Sequence, residues 1–157
     1  MTSTTARRGK APTPAERMTA HPVRPLPRPS KISQPFWDAC RERRLLIQQC
    51  ESCAGFVFIP QEFCPHCLGT VLRWVESAGT GSIVTFTVVW RPQTPAFETP
   101  YVIAVVMLDE GVDLLTNLVE VDPAHVAIGD RVRVAFVDVE DMTLPFFTGE
   151  APTGEPV

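Results

Sequence analysis

CESCAGFVFIPQEFCPHC, residues 50–67, is the stretch that decides how this chain folds. It contains two Cys-x2-Cys pairs separated by ten residues. Two such pairs facing each other give the tetrahedral four-sulfur arrangement that Zn²⁺ prefers. The spacing therefore predicts one Zn²⁺ per chain, bound by Cys50, Cys53, Cys64 and Cys67. Four thiolates leave no open coordination position, so the ion is predicted to be structural and not catalytic.

A glycine follows each pair two residues on, at positions 55 and 69. The tight turn after a Cys-x-x-Cys pair aims backbone N–H groups at the sulfurs and needs a residue that tolerates positive φ. We therefore expect Gly55 and Gly69 to adopt that conformation.

Other uses of four cysteines fit less well. Redox dithiols need a βαβ context, disulfides suit secreted proteins, and iron–sulfur clusters show different spacing. Mononuclear iron in the same cage stays open as an alternative to zinc. The predicted ribbon, residues 46–78, has only short apolar runs, so the metal is expected to supply most of its folding free energy, on the order of 10 kcal/mol.

A short amphipathic helix is predicted N-terminal to the ribbon, within residues 30–45. Phe36, Trp37 and Cys40 share one side of it. Cys40 is expected to be a buried small hydrophobe. The Phe36–Trp37 pair is either a core anchor or a surface that faces a partner protein, and both interpretations stay open.

Residues 79–148 form an all-β region. In residues 83–90 the even-numbered side chains are apolar, which predicts that Val84, Phe86, Val88 and Trp90 face the core. The apolar run 101–108 predicts a central strand buried on both faces. Short strands separated by turn signals indicate a small barrel or sandwich.

The two ends differ from this body. Residues 1–29 contain six prolines, six basic residues and one acidic residue, so they carry a charge of +5 and are predicted to be disordered. The tail 149–157 is also predicted to be frayed. The rest of the chain carries −9, because the total is −4. An acidic body argues against a nucleic-acid partner.

The sequence predicts neither a membrane span nor a secretory signal. No run of about 20 apolar residues occurs. The N-terminal arginines precede no apolar segment of the kind that a signal peptide needs. We therefore expect a cytoplasmic protein with reduced thiols and no membrane partner.

A proline-rich loop after residue 90 is flanked by aromatic and basic side chains: Trp90, Arg91, Phe97 and Tyr101. Such aromatics can stack on nucleic-acid bases. Because basic residues are scarce there, we favour loop packing or a docking surface for protein. No histidine or carboxylate lies in a pattern typical of a catalytic triad or an acid–base pair, so no catalytic residue is predicted.

Taken in order, the motifs resemble a known family. They are RPLPRP, PFWDAC, the four-Cys stretch, GTGSIVTFTVVWRP, PYVIAVVMLDEG, LLTNLV and IGDRVRVAF, over about residues 24–148. The sequence is similar to acyl-CoA-associated proteins built from a rubredoxin-like zinc ribbon and an OB-fold, long filed as a domain of unknown function. The resemblance implies a mainly β fold with a short N-terminal helix, a four-Cys zinc ribbon and a small OB-fold-like barrel.

The resemblance also implies a function. Similar proteins are non-catalytic companions of thiolase-superfamily enzymes, including thiolases, aldolases and a synthase, that make or break carbon–carbon bonds in acyl-CoA thioesters. In that setting the ribbon and helix, with Phe36 and Trp37, dock the enzyme, and the 90–101 loop faces the acyl-CoA or the partner. The alternatives are a nucleic-acid-binding zinc-ribbon and OB-fold protein, or an enzyme acting on CoA esters in its own right.

Overall fold

The computed structural model describes residues 24–150, so residues 1–23 of the predicted tail 1–29 and residues 151–157 of the predicted tail 149–157 lie outside it. Within the described part, one helix precedes eight strands. They are α1 (Gln34–Arg41), β1 (Leu46–Cys50), β2 (Phe56–Val57), β3 (Leu72–Glu76), β4 (Thr80–Val89), β5 (Tyr101–Leu108), β6 (Asp113–Leu118), β7 (Arg131–Val139) and β8 (Met142–Gly149). The predicted fold class is confirmed: a short helix, a four-Cys ribbon and a closed five-stranded barrel. No helix among these residues is long and apolar enough to cross a membrane.

The ribbon is a three-stranded antiparallel sheet in the order β2-β1-β3. Its central strand pairs Gln48 with Val57 on one side and with Trp74 on the other. The first Cys pair begins at the last residue of β1 and ends in the β1–β2 connection, and the second lies in the connection between β2 and β3. The sheet therefore brings the two pairs to the same end of the ribbon.

The barrel closes in the order β4-β5-β6-β8-β7. Its neighbours are antiparallel except for β6 and β8, which pair in parallel at one position, Leu118 with Phe147. Along the rest of this seam the two strands diverge and form no further ladder pair. The cavity described below lies over this seam.

One hydrophobic core joins helix, ribbon and barrel. Phe36 and Cys40 of α1, together with Leu45 and Ile47, belong to the same buried cluster as the barrel interior. Cys40 is fully buried, as predicted, and burial raises the pKa of its thiol to about 12. The helix and the ribbon are thus fixed to the barrel by apolar contact.

The predicted alternation in β4 is right at Phe86 and Val88 and wrong at Val84 and Trp90. Phe86 and Val88 pack on the core, whereas Val84 is 44% exposed and Trp90 is 70% exposed. The register of β4 against β5 shifts after Ile83, the mark of a β-bulge. One extra residue reverses which side chains face inward, so a single period cannot describe the whole strand.

Strand β5 is central, as predicted, but it is not buried on both faces. Val102, Ala104, Val106 and Leu108 are buried, while the intervening side chains are half-buried or, at Met107, exposed. A closed barrel directs every second side chain inward and the others outward. The uninterrupted apolar run 101–108 therefore led to an overestimate of how many side chains of β5 are buried.

Candidate metal centre and adjoining cavity

The four predicted ligands come together at one end of the ribbon. The sulfur atoms of Cys50, Cys53, Cys64 and Cys67 all lie within 4.8 Å of one another. The Sγ–Sγ distances are 3.6 Å for Cys50–Cys67 and 3.6 Å for Cys53–Cys64. A tetrahedron with Zn–S bonds of about 2.3 Å has edges of about 3.8 Å. The two measured distances are close to this edge and the other four do not exceed 4.8 Å, so the cluster is suited to a tetrahedral ion of this size.

The two turns that carry these sulfurs have the same backbone geometry. In each, the first cysteine's N–H donates to the glycine carbonyl five residues on, at 2.9 Å in both turns. The left-handed residue of each turn is Ala54 (φ 58°) or Leu68 (φ 61°). The prediction that Gly55 and Gly69 take the positive φ is therefore wrong, since that conformation falls one residue earlier.

Close approach to sulfur explains the glycines instead. A Cβ at Gly69 would lie 3.2 Å from the Cys50 sulfur and 3.3 Å from the Cys67 sulfur. A Cβ at Gly55 would lie 3.3 Å from the Cys53 sulfur and 2.9 Å from the His66 ring. Because each glycine backbone passes directly beside the ligands, a side chain there would push on the four-sulfur cage.

Backbone N–H groups favour the thiolate form of Cys50, which is the form that binds a cation. The N–H groups of Cys53 and Ser52 lower the pKa of the Cys50 thiol to about 6. The Gly69 N–H acts in the same direction on Cys67, but the neighbouring sulfurs outweigh it and raise the pKa of that thiol to about 12. Crowded thiolates oppose each other's ionisation, and a bound divalent ion removes that opposition.

Gln48 is a structural residue that the sequence analysis missed. Its side chain is buried in β1 and makes two hydrogen bonds with the backbone of Gln61. The Gln48 Nε2 donates to the Gln61 carbonyl (3.2 Å), and the Gln61 N–H donates to the Gln48 Oε1 (2.8 Å). These bonds hold the loop between β2 and the second Cys pair against the sheet. A buried glutamine is uncommon, but only the fold reveals its partner.

That loop forms one wall of a cavity of about 350 Å³ at the junction of helix, ribbon and barrel. The cavity lies over the seam where β6 and β8 diverge. Its lining is mostly aromatic and aliphatic, and includes Trp37, Phe58, Phe97, Leu114, Leu144 and Phe146. Arg24 is the one charged residue among the lining residues in the described part of the chain. The cavity is suited to an apolar ligand or side chain and offers no acid–base pair for chemistry.

The structure separates the predicted aromatic candidates into three groups. Phe36 is 5% exposed and belongs to the core, where its ring meets Trp37 edge-on at 4.9 Å. Trp37 is half-buried and faces the cavity together with Phe97. Tyr101 stacks on Phe97 at 5.8 Å. The exposed Trp90 does not line the cavity.

Arg91 is also exposed and does not line the cavity. The basic residue at the cavity is Arg24, which lies within residues 1–29, the segment predicted to be disordered. Its guanidinium lies 4.9 Å from the Phe97 ring centroid and 5.4 Å from that of Phe146. Two cation–π contacts thus hold residue 24 against the barrel. Nothing in the local sequence indicates this, because the two rings lie more than 70 residues away.

A closed four-thiolate site on a three-stranded ribbon, followed by an OB-fold barrel, defines a zinc-ribbon and OB-fold protein. Two family models match in the same order: the ChsH2 rubredoxin-like zinc ribbon domain over residues 37–73, and the ChsH2 C-terminal OB-fold domain over residues 74–137. The chain belongs to this ChsH2-type family of DUF35 proteins.

Three similar proteins illustrate the range of the family. A probable enoyl-CoA hydratase alpha subunit of Thermomonospora curvata is 38% identical over 85% of this chain, which spans only 42% of that relative. A DUF35 domain-containing scaffold protein of Methanocaldococcus jannaschii is 32% identical over 67% of this chain and 77% of its own length. The solved Ltp2-ChsH2(DUF35) aldolase contains a chain that is 38% identical, with a TM-score of 0.73, covering 79% of this chain and 98% of that one.

Proposed function

We propose that this chain is a non-catalytic accessory subunit of a thiolase-like or aldolase-like enzyme that makes or breaks carbon–carbon bonds in acyl-CoA thioesters. The observation that carries the proposal is the pairing of a closed four-sulfur site with an apolar cavity that has no acid–base pair. The closed four-sulfur site is suited to a structural role, and the apolar cavity is suited to binding. Neither supplies a group that could react with a substrate.

The relatives support the same conclusion from their names. One is named a probable enoyl-CoA hydratase alpha subunit, one is named a DUF35 domain-containing scaffold protein, and one is solved as part of the Ltp2-ChsH2(DUF35) aldolase. We infer that zinc fills the four-Cys site, one ion per chain, since the ribbon belongs to a zinc-binding family and the sulfur spacing fits. We place its action in the cytoplasm, where thiolates stay reduced.

The docking surface that we propose combines Trp37 with the exposed apolar side chains of the ribbon. Ile59, Phe63, Leu68 and Val71 are all more than half exposed. Ile59 also lies at the cavity, so the ribbon surface and the cavity adjoin. Exposed apolar side chains gathered on so small a module are typical of a protein interface. The Phe97 and Tyr101 side of the loop would then face the partner or the acyl chain.

The test is co-purification of the full chain with a thiolase-superfamily enzyme. Trp37→Ala should weaken co-purification, because truncating an aromatic anchor typically costs about 2 kcal/mol or more, while zinc content stays at one equivalent. Ile128→Ala is the control, since it truncates an exposed apolar side chain outside the cavity and should have a smaller effect. A thermal melt of each variant alone separates lost docking from lost stability.

Activity measurements test the accessory role directly. Purified alone, the chain should turn over no acyl-CoA, and its effect should appear only when the partner enzyme is added. Robust thiolase, lyase or hydratase activity from the single chain would refute the accessory role. A hydratase subunit is the second candidate function, because one relative is named a probable enoyl-CoA hydratase alpha subunit. That relative is more than twice as long as this chain.

A further inference from the structure

A proline-rich segment, residues 24–29, forms part of the cavity wall through Arg24, Pro25 and Pro27. Its sequence is RPLPRP, with a proline at every second position, and it belongs to neither a helix nor a strand. Proline fixes its own φ and disfavours the helical region at the residue before it, so this segment is extended. Its prolines have no N–H, and no backbone hydrogen bond joins residues 24–29 to residues 30–150. We call residues 24–29 the strap.

Two side chains attach the strap to the barrel. Arg24 makes the cation–π contacts with Phe97 and Phe146 described above. Leu26 packs against the buried cluster of β8 to which Phe146 also belongs. Both Arg24 and Leu26 are half-buried, and cation–π contacts that water can reach are individually weak. The strap is therefore held by a few side-chain contacts that can break without disturbing the hydrogen bonds of the barrel.

The Arg24 side chain lies where two cavities adjoin. The second cavity has a volume of about 280 Å³. Four residues line both cavities: Arg24, Phe97, Asn117 and Phe146. Phe97 and Phe146 are the two rings that the Arg24 guanidinium covers, so detachment of this side chain would uncover them and join the two spaces into one longer cavity.

We propose that the strap is a gate. Residues 24–29 close the cavity by covering its aromatic wall, and the cavity takes up an apolar chain when they detach. Proline-rich segments bind grooves lined by aromatic side chains because they are already extended and lose little conformational freedom on binding. The same property lets the strap leave and return at low cost. The gate acts on the cavity that the proposed function assigns to binding, but it operates without an enzyme partner.

Uptake of a neutral apolar dye, N-phenyl-1-naphthylamine, by the full chain tests the gate. Arg24→Ala and Leu26→Ser each remove one attachment of the strap. A site that is open for only a fraction of the time binds more weakly by that fraction, so both variants should bind the dye at least about fivefold more tightly than wild type. Leu26 lines neither cavity, so its substitution reaches the dye through the strap. Arg28→Ala is the matched control, an exposed arginine of the same strap that lines neither cavity, and it should bind like wild type.

Return of the strap from outside is the second measurement. A peptide RPLPRP with blocked ends, added in large excess, should displace the dye from the Leu26→Ser chain, whereas the same peptide carrying Leu26→Ser should not. Zinc content and a thermal melt of each variant check that the fold is kept.

Equal dye affinity in wild type and both strap variants would overturn the gate. Tighter binding by Arg24→Ala alone would also overturn it, because only the charge in the lining would then oppose the dye. A gain at Arg28→Ala, or a peptide RPLPRP that displaces no dye or no more than its Leu26→Ser form, would exclude the specific contacts on which the gate depends. None of these results changes the expected co-purification with an enzyme, which tests the accessory role separately.

Discussion

The cluster buried within the ribbon itself contains Cys50, Val57 and Cys64, with Leu72 packed against it, whereas the cluster that fills the barrel also draws in the helix and the first ribbon strand. Two of the three buried residues in the first of these clusters are metal ligands. Its metal-binding end is therefore held by four sulfur atoms, and the barrel is held by many apolar contacts of modest individual size.

The difference concerns how stability is distributed. Removing one contact from the barrel should weaken the whole domain by a limited amount. Removing one sulfur from the metal-binding end should abolish the local fold, because little else is buried there. The predictions below test this contrast, from the largest expected effect to the smallest.

Replacing Cys64 by Ser should have the largest effect. The variant should lose much of the roughly 10 kcal/mol that a structural zinc site supplies, so the ribbon unfolds while the barrel stays folded. Elemental analysis should fall from one equivalent of zinc toward none, and hydrogen exchange should lose protection at residues 46–76 only. Cys40→Ala is the control, because Cys40 is buried away from the cage and its loss should leave zinc content intact. A metal-free wild type that folds well would contradict the prediction.

Replacing Phe147 by Ala should give the second largest effect. This side chain is fully buried at the single β6–β8 pair, so truncation should cost about 3–5 kcal/mol. Urea unfolding should show the loss across all barrel strands, with the ribbon still holding its zinc under native conditions. Leu115→Ala, at a side chain that is 72% exposed, should change stability by about 0.5 kcal/mol or less. Equal effects from the two substitutions would show that burial does not set the cost here.

The contrast between the metal-binding end of the ribbon and the barrel core also explains which features could be predicted from the sequence. The metal ligands are local in sequence, since all four fall within 18 residues and their spacing reports their geometry. The fold class followed from the order of motifs. The bulge after Ile83 could not be predicted from alternation, because one inserted residue resets the period without changing the composition.

The cavity could not be predicted from the sequence for a related reason. It brings together residues far apart in the chain, including Arg24, Trp37, Phe97 and Phe146, and no local pattern connects them. The role of the glycines was misjudged because spacing shows that a special residue is needed but not why. At Gly69 the reason is a sulfur 3.2 Å away, which only coordinates reveal.

Gly69→Ala sharpens this point with a smaller effect. The added methyl group would press on the sulfurs of Cys50 and Cys67, and overpacking of this kind typically costs about 1–3 kcal/mol. The variant should bind zinc, but a chelator should remove the metal faster than from wild type. Gly149→Ala is the control, because its Cβ would meet nothing within 4 Å. Identical zinc release in the two variants would show that the cage tolerates the methyl group.

The smallest effect is expected at the ion pair that ties the β5–β6 turn to β7. The Arg131 guanidinium binds both oxygens of Asp109, at 2.6 and 2.8 Å, and the Thr80 hydroxyl donates to the same carboxylate. These bonds hold the pKa of Asp109 well below its usual range. A carboxyl whose pKa is lower in the folded state stabilises the fold above its unfolded pKa of about 3.9, and this contribution is lost as pH falls toward the folded pKa.

Asp109→Asn should therefore lower the melting temperature at pH 7, and the difference from wild type should shrink as the pH is taken below about 4. The effect should be small and should decrease with added salt, because both side chains are about half exposed and solvent screens the pair. Asp141→Asn is the matched control, an exposed aspartate with no ion pair in the described part of the chain, and its melts should follow wild type at every pH. A difference at Asp109 that stays constant from pH 7 to pH 3 would show that the carboxylate charge is not what links this turn to β7. The turn would then be held by the Thr80 contact and the backbone alone, which places the barrel's cohesion still more firmly in its apolar core.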